Sequence, residues 1–290
     1  MRLNSPSVSK QLTKKSIKWN HMTEAAFEHI LVERLGPVLR VSHNRPEVRN
    51  AEGRRLLEEL NQALRAAEAD DQVRVVIIAG KGDHFSAGHD LKEAQRERPS
   101  LTVEQRWEYE EEHFYQYCLN ILDLKKPTIA QVQGACIAGG LMVANMCDLI
   151  VAADDAFFSD PVAHSLGTAA VEVLIHPWVL GMRKAKEVLF TGRRFGAQEA
   201  LEAGMVNRVV ARSQLEQETL DLAMTIAAAP PFGLRLLKRA LNRTWDAQGL
   251  KVALSAHFDG HQLSHVTREF QENAARGLAN AIQTAKDAAR

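Results

Sequence analysis

Two short apolar runs, Ile30–Leu35 and Pro37–Ser42, are separated by Gly36, and this pattern predicts a β-hairpin. Leu56, Leu57, Leu60 and Leu64 then recur at helical spacing and predict an amphipathic helix over Glu52–Ala69. Val73–Ala79 is a β-branched run that suits a strand buried on both faces. A loop, Gly80–His89, leads into another helix. The polar and aromatic segment Thr102–Leu124 has a helical pattern that Pro127 ends. Thr128–Val132 reads as a strand, Gly134, Gly139 and Gly140 punctuate a turn into a short helix, and Leu149–Ala153 is a further strand. Helical patterns around Arg183–Phe190 and Ala197–Ala203 precede a strand at Val206–Val210, and after Pro230 and Pro231 the chain reads as helix to its end. Strands alternating with helices predict an α/β architecture with parallel strands. The divisions are a basic extension over 1–26, a core over 27–225 and a helical region over 226–290.

Composition narrows the function classes. Lys and Arg together number 36, as do Asp and Glu, so the formal net charge is zero and offers no general attraction to nucleic acid or an anionic membrane. No apolar run reaches the ~18–20 residues that a membrane-spanning helix needs. The cysteines, Cys118, Cys136 and Cys147, are an odd set without metal-site spacing, which predicts reduced thiols, no disulfide framework and no metal centre. Residues 1–22 carry Arg2, Lys10, Lys14, Lys15 and Lys18 with no acid before Glu24. They read as a basic tail of a cytoplasmic protein, with a mitochondrial transit segment as the alternative.

Two loops follow buried strands and hold small residues where a backbone must approach a ligand. They are His84-Phe85-Ser86-Ala87-Gly88-His89-Asp90-Leu91 and Gln133-Gly134-Ala135-Cys136-Ile137-Ala138-Gly139-Gly140. Each leads into a helix start, where unpaired main-chain donors and the helix dipole favour negative charge. Neither has the spacing of a phosphate-binding P-loop or a dinucleotide fingerprint.

Phe85–Leu91, Lys126–Gly134, Ala138–Gly140 and Met146–Asp148 together resemble the enoyl-CoA hydratase/isomerase (crotonase) family. Asn44–Ala51 is similar to that family's first coenzyme A loop, and Leu189–Gly192 and Ala203–Val210 to its later landmarks. The resemblance implies a spiral of ββα units with a helical C-terminal region, assembly as a homotrimer or homohexamer, and an acyl-CoA thioester substrate without a separate cofactor. It also implies an oxyanion hole made by the main-chain amides of His89 and Gly139. His89, Asp90, Leu91 and Lys92 would lie along the thioester and pantetheine, and Arg49 and Ala51 near the nucleotide end. Asp90 also reads as a helix cap.

One departure bears on the reaction. The family's two hydratase glutamates fall on Met142 and Val162, neither of which holds or transfers a proton. The candidate replacements are Glu172, whose apolar flanks would raise its pKa on burial, and Asp160, with His164 and His176 beside them. The structural alternatives are an ion pair of Glu172 with Arg183 or Lys184, a turn cap for Asp160, and satisfied structural histidines. The functional readings are hydration, double-bond isomerisation or carbon–carbon hydrolysis by Glu172 or Asp160. Against these stands a non-catalytic acyl-CoA-binding protein.

Overall fold

The computed structural model describes residues 27–97 and 101–276, and the basic stretch 1–26 lies outside the described residues. The strands are β1 (Ile30–Leu35), β2 (Val38–His43), β3 (Val75–Gly80), β4 (Thr128–Val132), β5 (Ala135–Ile137), β6 (Leu149–Ala153), β7 (Phe157–Ser159), β8 (Phe195–Gly196) and β9 (Arg208–Val210). β1 and β2 form the expected hairpin, paired from Leu35↔Val38 to Ile30↔His43, with Gly36 at φ +61° in the turn. From β2 onward the pairing is parallel, giving the order β1-β2-β3-β4-β6-β9. A smaller sheet, β5-β7-β8, branches off directly after β4. Strands of two or three residues are too short to impose a period on the sequence, so β5, β7 and β8 are not visible in its pattern.

The helices are α1 (Arg54–Ala69), α2 (Leu91–Glu97), α3 (Val103–Glu110), α4 (Tyr117–Leu122), α5 (Gly139–Met146), α6 (Val162–Ser165), α7 (His176–Leu180), α8 (Met182–Thr191) and α9 (Ala197–Glu202), followed by α10 (Leu215–Ala227), α11 (Pro231–Ala247), α12 (Leu250–Ser264) and α13 (Arg268–Ala275). The long helix expected over Thr102–Leu124 is interrupted by a π-helical turn at Glu111–Gln116 between α3 and α4, which buries His113, Phe114 and Tyr115. Such turns change which side chains a helix points inward.

The β3 run is buried on both faces, for a reason its alternation makes plain. Val76 and Ile78 face the main core with Leu56, Leu60 and Leu64 of α1. Val75, Ile77 and Ala79 face the other way, under Leu215, Ala223 and Ala227 of α10. Helix α10 is thus a layer of the sheet, and the chain bends by 105° between it and α11 at Pro230-Pro231. Asp148, in the Met146–Asp148 motif, accepts hydrogen bonds from Thr128 N and Oγ1 at 2.7 and 3.0 Å and pairs with Lys238 of α11 at 2.8 Å. That motif residue therefore ties the sheet to the C-terminal helices. The three cysteines are buried and unpaired with one another.

Three boundaries differ from the sequence pattern. α1 starts at Arg54 rather than Glu52, because the main chain of Glu52 bridges to His89. β3 starts at Val75 rather than Val73, since the Arg74 amide is taken by Pro37 O in the β1–β2 turn and pairing with β2 begins at Val38↔Val75. β9 starts at Arg208 because Val206 donates back to Ala200 O. Among the described residues, no single helix is long and apolar enough to cross a membrane.

Candidate active site

Three segments are knitted together at the carboxyl ends of the parallel strands. Glu52 N donates to Gly88 O at 2.9 Å and Asp90 N to Glu52 O at 3.0 Å. Ile137 N donates to Ser86 O at 3.0 Å. The Ser86 hydroxyl donates to Asn50 O at 3.0 Å and accepts from Gly88 N at 3.1 Å. Only glycine fits at 88: φ is +87°, and an added Cβ would lie 2.7 Å from Ile137 O and 3.2 Å from Gly139 N. Ala138 is held at φ 48°, ψ −112°, a conformation costly for an alanine that the surrounding bonds impose. Gly139 follows as the first residue of α5, where a main-chain N–H has no partner within the helix.

The His89 side chain turns across this junction. Its ring stacks on Phe114, with centroids 3.9 Å apart and planes 17° apart. Its Nε2 lies 3.2 Å from Glu172 Oε2 and its Nδ1 3.7 Å from Glu52 Oε2. The imidazole is thus bracketed by two buried carboxylates. A Cβ built on Gly139 would meet Glu52 Oε2 and His89 Cε1, both at 2.6 Å.

The two carboxylates differ. Glu52 is wholly buried, and neither of its oxygens has a hydrogen-bond partner. Burial pushes its pKa up to about 7; the charge of His89 pulls it down, and the charge of Glu172 adds to the rise. His43, 4.0 Å behind it, is held neutral at neutral pH, its pKa lowered to about 4 by burial, and supplies no countercharge. Glu172 is also buried, as the sequence implies, but its pKa does not rise. Burial acts upward and is outweighed by the charge and hydrogen bond of His89, with His261 helping, so Glu172 lies well below the usual carboxylate range. Its partners are these histidines, not Arg183 or Lys184.

His261 sits behind Glu172. Its Nδ1 donates to Ala170 O at 2.9 Å, while its Nε2 lies 3.7 Å from Glu172 Oε1 and 3.6 Å from Glu110 Oε2. Burial opposes a charge on His261, but Glu110 and Glu172 together raise its pKa.

The other sequence candidates are placed as follows. Asp160 is buried, with Oδ1 accepting from Val162 N at 3.3 Å and Oδ2 from Val171 N at 3.2 Å, so its side chain ties α6 to the segment that carries Glu172. Burial raises its pKa to about 6. His176, 3.6 Å from Asp160, is lowered to about 4 by burial. His164 Nε2 lies 2.7 Å from Phe190 O, away from the junction. Asp90 caps α2 through Glu93 N at 3.1 Å and pairs with Arg45 at 3.1 Å. Leu91 and Ala51 are half-buried, and Lys92 in the first turn of α2 and Arg49 on the early loop are exposed. Met142 is buried with its sulfur 3.3 Å from Val173 N, and Val162 begins α6.

Beside His89 is a small, mostly apolar cavity whose walls include Leu57, Leu60, Leu64, Phe114, Ile121 and Met142. Glu52 and His89 contribute polar groups to its lining. Glu52, Glu110 and His261 are absent from the sequence-based candidates. An acidic residue at the start of a predicted helix is an ordinary N-terminal signal, which hides Glu52. Glu110 and His261 come from segments with no motif, and only the fold brings them to Glu172.

The enoyl-CoA hydratase/isomerase family profile matches residues 33–280. Over 258 residues the chain is 42% identical to the provisionally named enoyl-CoA hydratase EchA13 of Mycobacterium tuberculosis, covering 82% of this chain and 81% of that protein. It is 33% identical over 222 residues to 4-chlorobenzoyl coenzyme A dehalogenase-2 of an Arthrobacter species, covering 76% and 80%. The crystal structure of an enoyl-CoA hydratase/isomerase from Xanthobacter autotrophicus Py2 superposes with a TM-score of 0.84 at 37% identity, covering 90% of this chain and 98% of that one. That of a probable enoyl-CoA hydratase from Mycobacterium smegmatis gives 0.78 at 45%, covering 87% and 98%.

Proposed function

Because the chain belongs to the enoyl-CoA hydratase/isomerase family, with its crotonase fold, we propose that it binds an acyl-CoA thioester and stabilises the enolate formed from it, with Glu52 moving the proton and Glu172 holding His89 in place. The observation that carries this reading is the His89 imidazole held between two buried carboxylates beside Gly139. The thioester oxygen would sit against the main-chain amides of His89 and Gly139, which stabilise charge as it develops there. Glu52, whose oxygens accept no hydrogen bond and whose pKa burial raises to about 7, suits the general base that takes the α-proton. Glu172, held well below the usual carboxylate range, fixes the imidazole in place beside Gly139. Glu52, protonated when it takes the α-proton, can return the same proton to another carbon of the acyl chain, which completes a double-bond isomerisation. In hydration it would instead take a proton from water as the water oxygen bonds the β-carbon, and deliver it to the α-carbon. Met142 belongs to the wall of the small apolar cavity rather than to the proton chemistry. Lys92 and Arg49, both exposed, suit the phosphates of the coenzyme.

The test is a time course of purified protein with a panel of enoyl-CoA and acyl-CoA esters read by mass spectrometry, with calorimetric titration of the same thioesters. Enzyme-dependent product and measurable binding are expected. Binding without product would convert the chain into a binding protein, and neither would end the reading. Glu172→Gln is expected to lower turnover at least about tenfold with CoA-ester affinity nearly unchanged; unchanged turnover would reduce Glu172 to a structural role.

α11 presents Phe232, Leu236, Leu237 and Leu241 to solvent, each at least half exposed in the single chain. An apolar row of this kind suits burial against further copies of the chain, as in the homotrimer or homohexamer the family resemblance implies. Light scattering on the purified chain is expected to report three or six copies, and a monomer at micromolar concentration would remove the proposal.

A further inference from the structure

The histidines behind Glu172 form a second polar cluster, of which the proton chemistry above draws only on His261, as a neighbour of Glu172. His261 and His265 are four residues apart at the end of α12, so they share one helix face. Glu110, at the end of α3, faces them, and one ligand atom from each of the three lies within 4.8 Å of the other two. Glu110 and His261 are buried, and His265 is half-buried.

The spacing decides what belongs between them. His261 Nδ1 carries its hydrogen toward Ala170 O, so Nε2 is the atom presented to the cluster. Nε2 has no hydrogen-bond partner, and the carboxylate oxygens of Glu110 and Glu172 stand 3.6 and 3.7 Å from it. A proton on Nε2 would meet both oxygens at ion-pair distance, beyond the ~2.7–3.2 Å of an ordinary N–H···O bond. A cation bonded at about 2.1 Å to tetrahedral ligands holds them about 3.4 Å apart, close to the 3.6 Å between His261 Nε2 and Glu110 Oε2. His265 Nδ1 is a further buried nitrogen without a partner. The surroundings also match what a bound ion requires of its ligands. The second nitrogen of His261 is fixed by a carbonyl, and Glu110 is oriented by Gln262 Nε2 at 2.8 Å and Arg106 Nη1 at 3.4 Å.

We propose that Glu110, His261 and His265 form a binding site for a divalent transition metal of the zinc type, with the Oε1 oxygen of Glu172 next to its open position. Two imidazoles with a carboxylate suit such an ion better than calcium or magnesium, which take oxygen ligands. The site joins the end of α3 to the end of α12, on the far side of Glu172 from His89. The sequence offers no cysteine spacing here; the signal it does hold, two histidines four apart, needs Glu110 from a distant segment to acquire meaning.

The experiment uses the full chain, stripped with a chelator and then given Zn²⁺ or Co²⁺ without any thioester. After desalting, one equivalent of zinc per chain is expected, with a thermal midpoint raised by at least about 5 °C at saturating ion. The Co²⁺ form is expected to show visible d–d absorption of a low-coordinate site. His265→Gln and Glu110→Gln are each expected to lose the metal and the Co²⁺ spectrum. Metal content at the buffer blank, with no spectrum and no thermal shift in the unaltered chain, overturns the proposal. So does a full equivalent kept by both variants, which would place the ion elsewhere. These readouts involve no acyl-CoA, so their failure leaves the thioester reading standing, and failure of that reading leaves the metal result intact.

Discussion

Gly139→Ala is expected to lower turnover of an acyl-CoA substrate by at least about a hundredfold, comparable to loss of an oxyanion donor. The cause is contact rather than backbone strain, because Gly139 begins a right-handed helix and has no positive φ. The new methyl would lie 2.6 Å from both Glu52 Oε2 and His89 Cε1 and 2.7 Å from His89 Nδ1. Neither neighbour can yield freely. The imidazole is stacked on Phe114 and bonded to Glu172, and the Glu52 carboxylate is in a closed slot in front of His43. One of them leaves its place, or α5 and its first amide move back. Overpacking of this kind costs about 1–3 kcal/mol of stability, so the variant is expected to fold and to be measurable by urea denaturation. Turnover within threefold of the parent would mean that the Gly139 junction is not where the reaction occurs.

Glu52→Gln separates a functional carboxylate from a structural one, because it is expected to move activity and stability in opposite directions. The carboxyl has its ordinary pKa of 4.5 in the unfolded chain and about 7 in the fold. Between those values the folded chain holds a proton that the unfolded chain has released, so this group's contribution to stability declines as pH rises from 4.5 to 7 and is at its most unfavourable above 7. Glutamine carries no charge to desolvate. Glu52→Gln is therefore expected to be more stable than the parent at pH 8, by on the order of 2–3 kcal/mol, with little difference near pH 4. A base must be deprotonated to act, so kcat/KM of the parent is expected to rise with pH through about 7. In Glu52→Gln that limb should disappear and turnover fall at least about tenfold. Chemical denaturation at the two pH values and a pH–rate profile provide the checks. A variant less stable at pH 8 that keeps the limb near 7 would show that Glu52 is ionised and structural.

Much of the sheet was legible because its strands are buried on both faces. An apolar run such as Val75–Ala79 leaves little choice of structure, and β4 and β6 announce themselves in the same way. The smaller sheet was not legible, since β5, β7 and β8 depend on pairing across the fold rather than on their own composition. Helix α10 was missed for a related reason. Its buried stripe, Leu215, Ala223 and Ala227, is small and interrupted, and acquires meaning only against Val75, Ile77 and Ile129 of the sheet.

The site divides along the same line. His89, Gly139 and Glu172 could be singled out from motif order and from an acid among apolar neighbours. The charge of Glu172 could not, because its apolar flanks argue for a raised pKa and only the approach of His89 and His261 reverses the sign. Asp160 reads as a replacement acid beside Pro161, yet its oxygens are taken by the amides of Val162 and Val171.

From the chain alone came the family, the alternation of strands and helices, the two glycine-bearing loops and the absence of carboxylates at 142 and 162, all of which depend on residue type and local spacing. The tertiary structure alone revealed that Glu52 faces His89, that Glu110 and His261 stand behind Glu172, and which of the two carboxylates flanking His89 is held lower in pKa. Those properties arise from electrostatics and desolvation between groups as far as 151 residues apart, as for Glu110 and His261, and such forces act through space and leave no periodic trace in the order of residues.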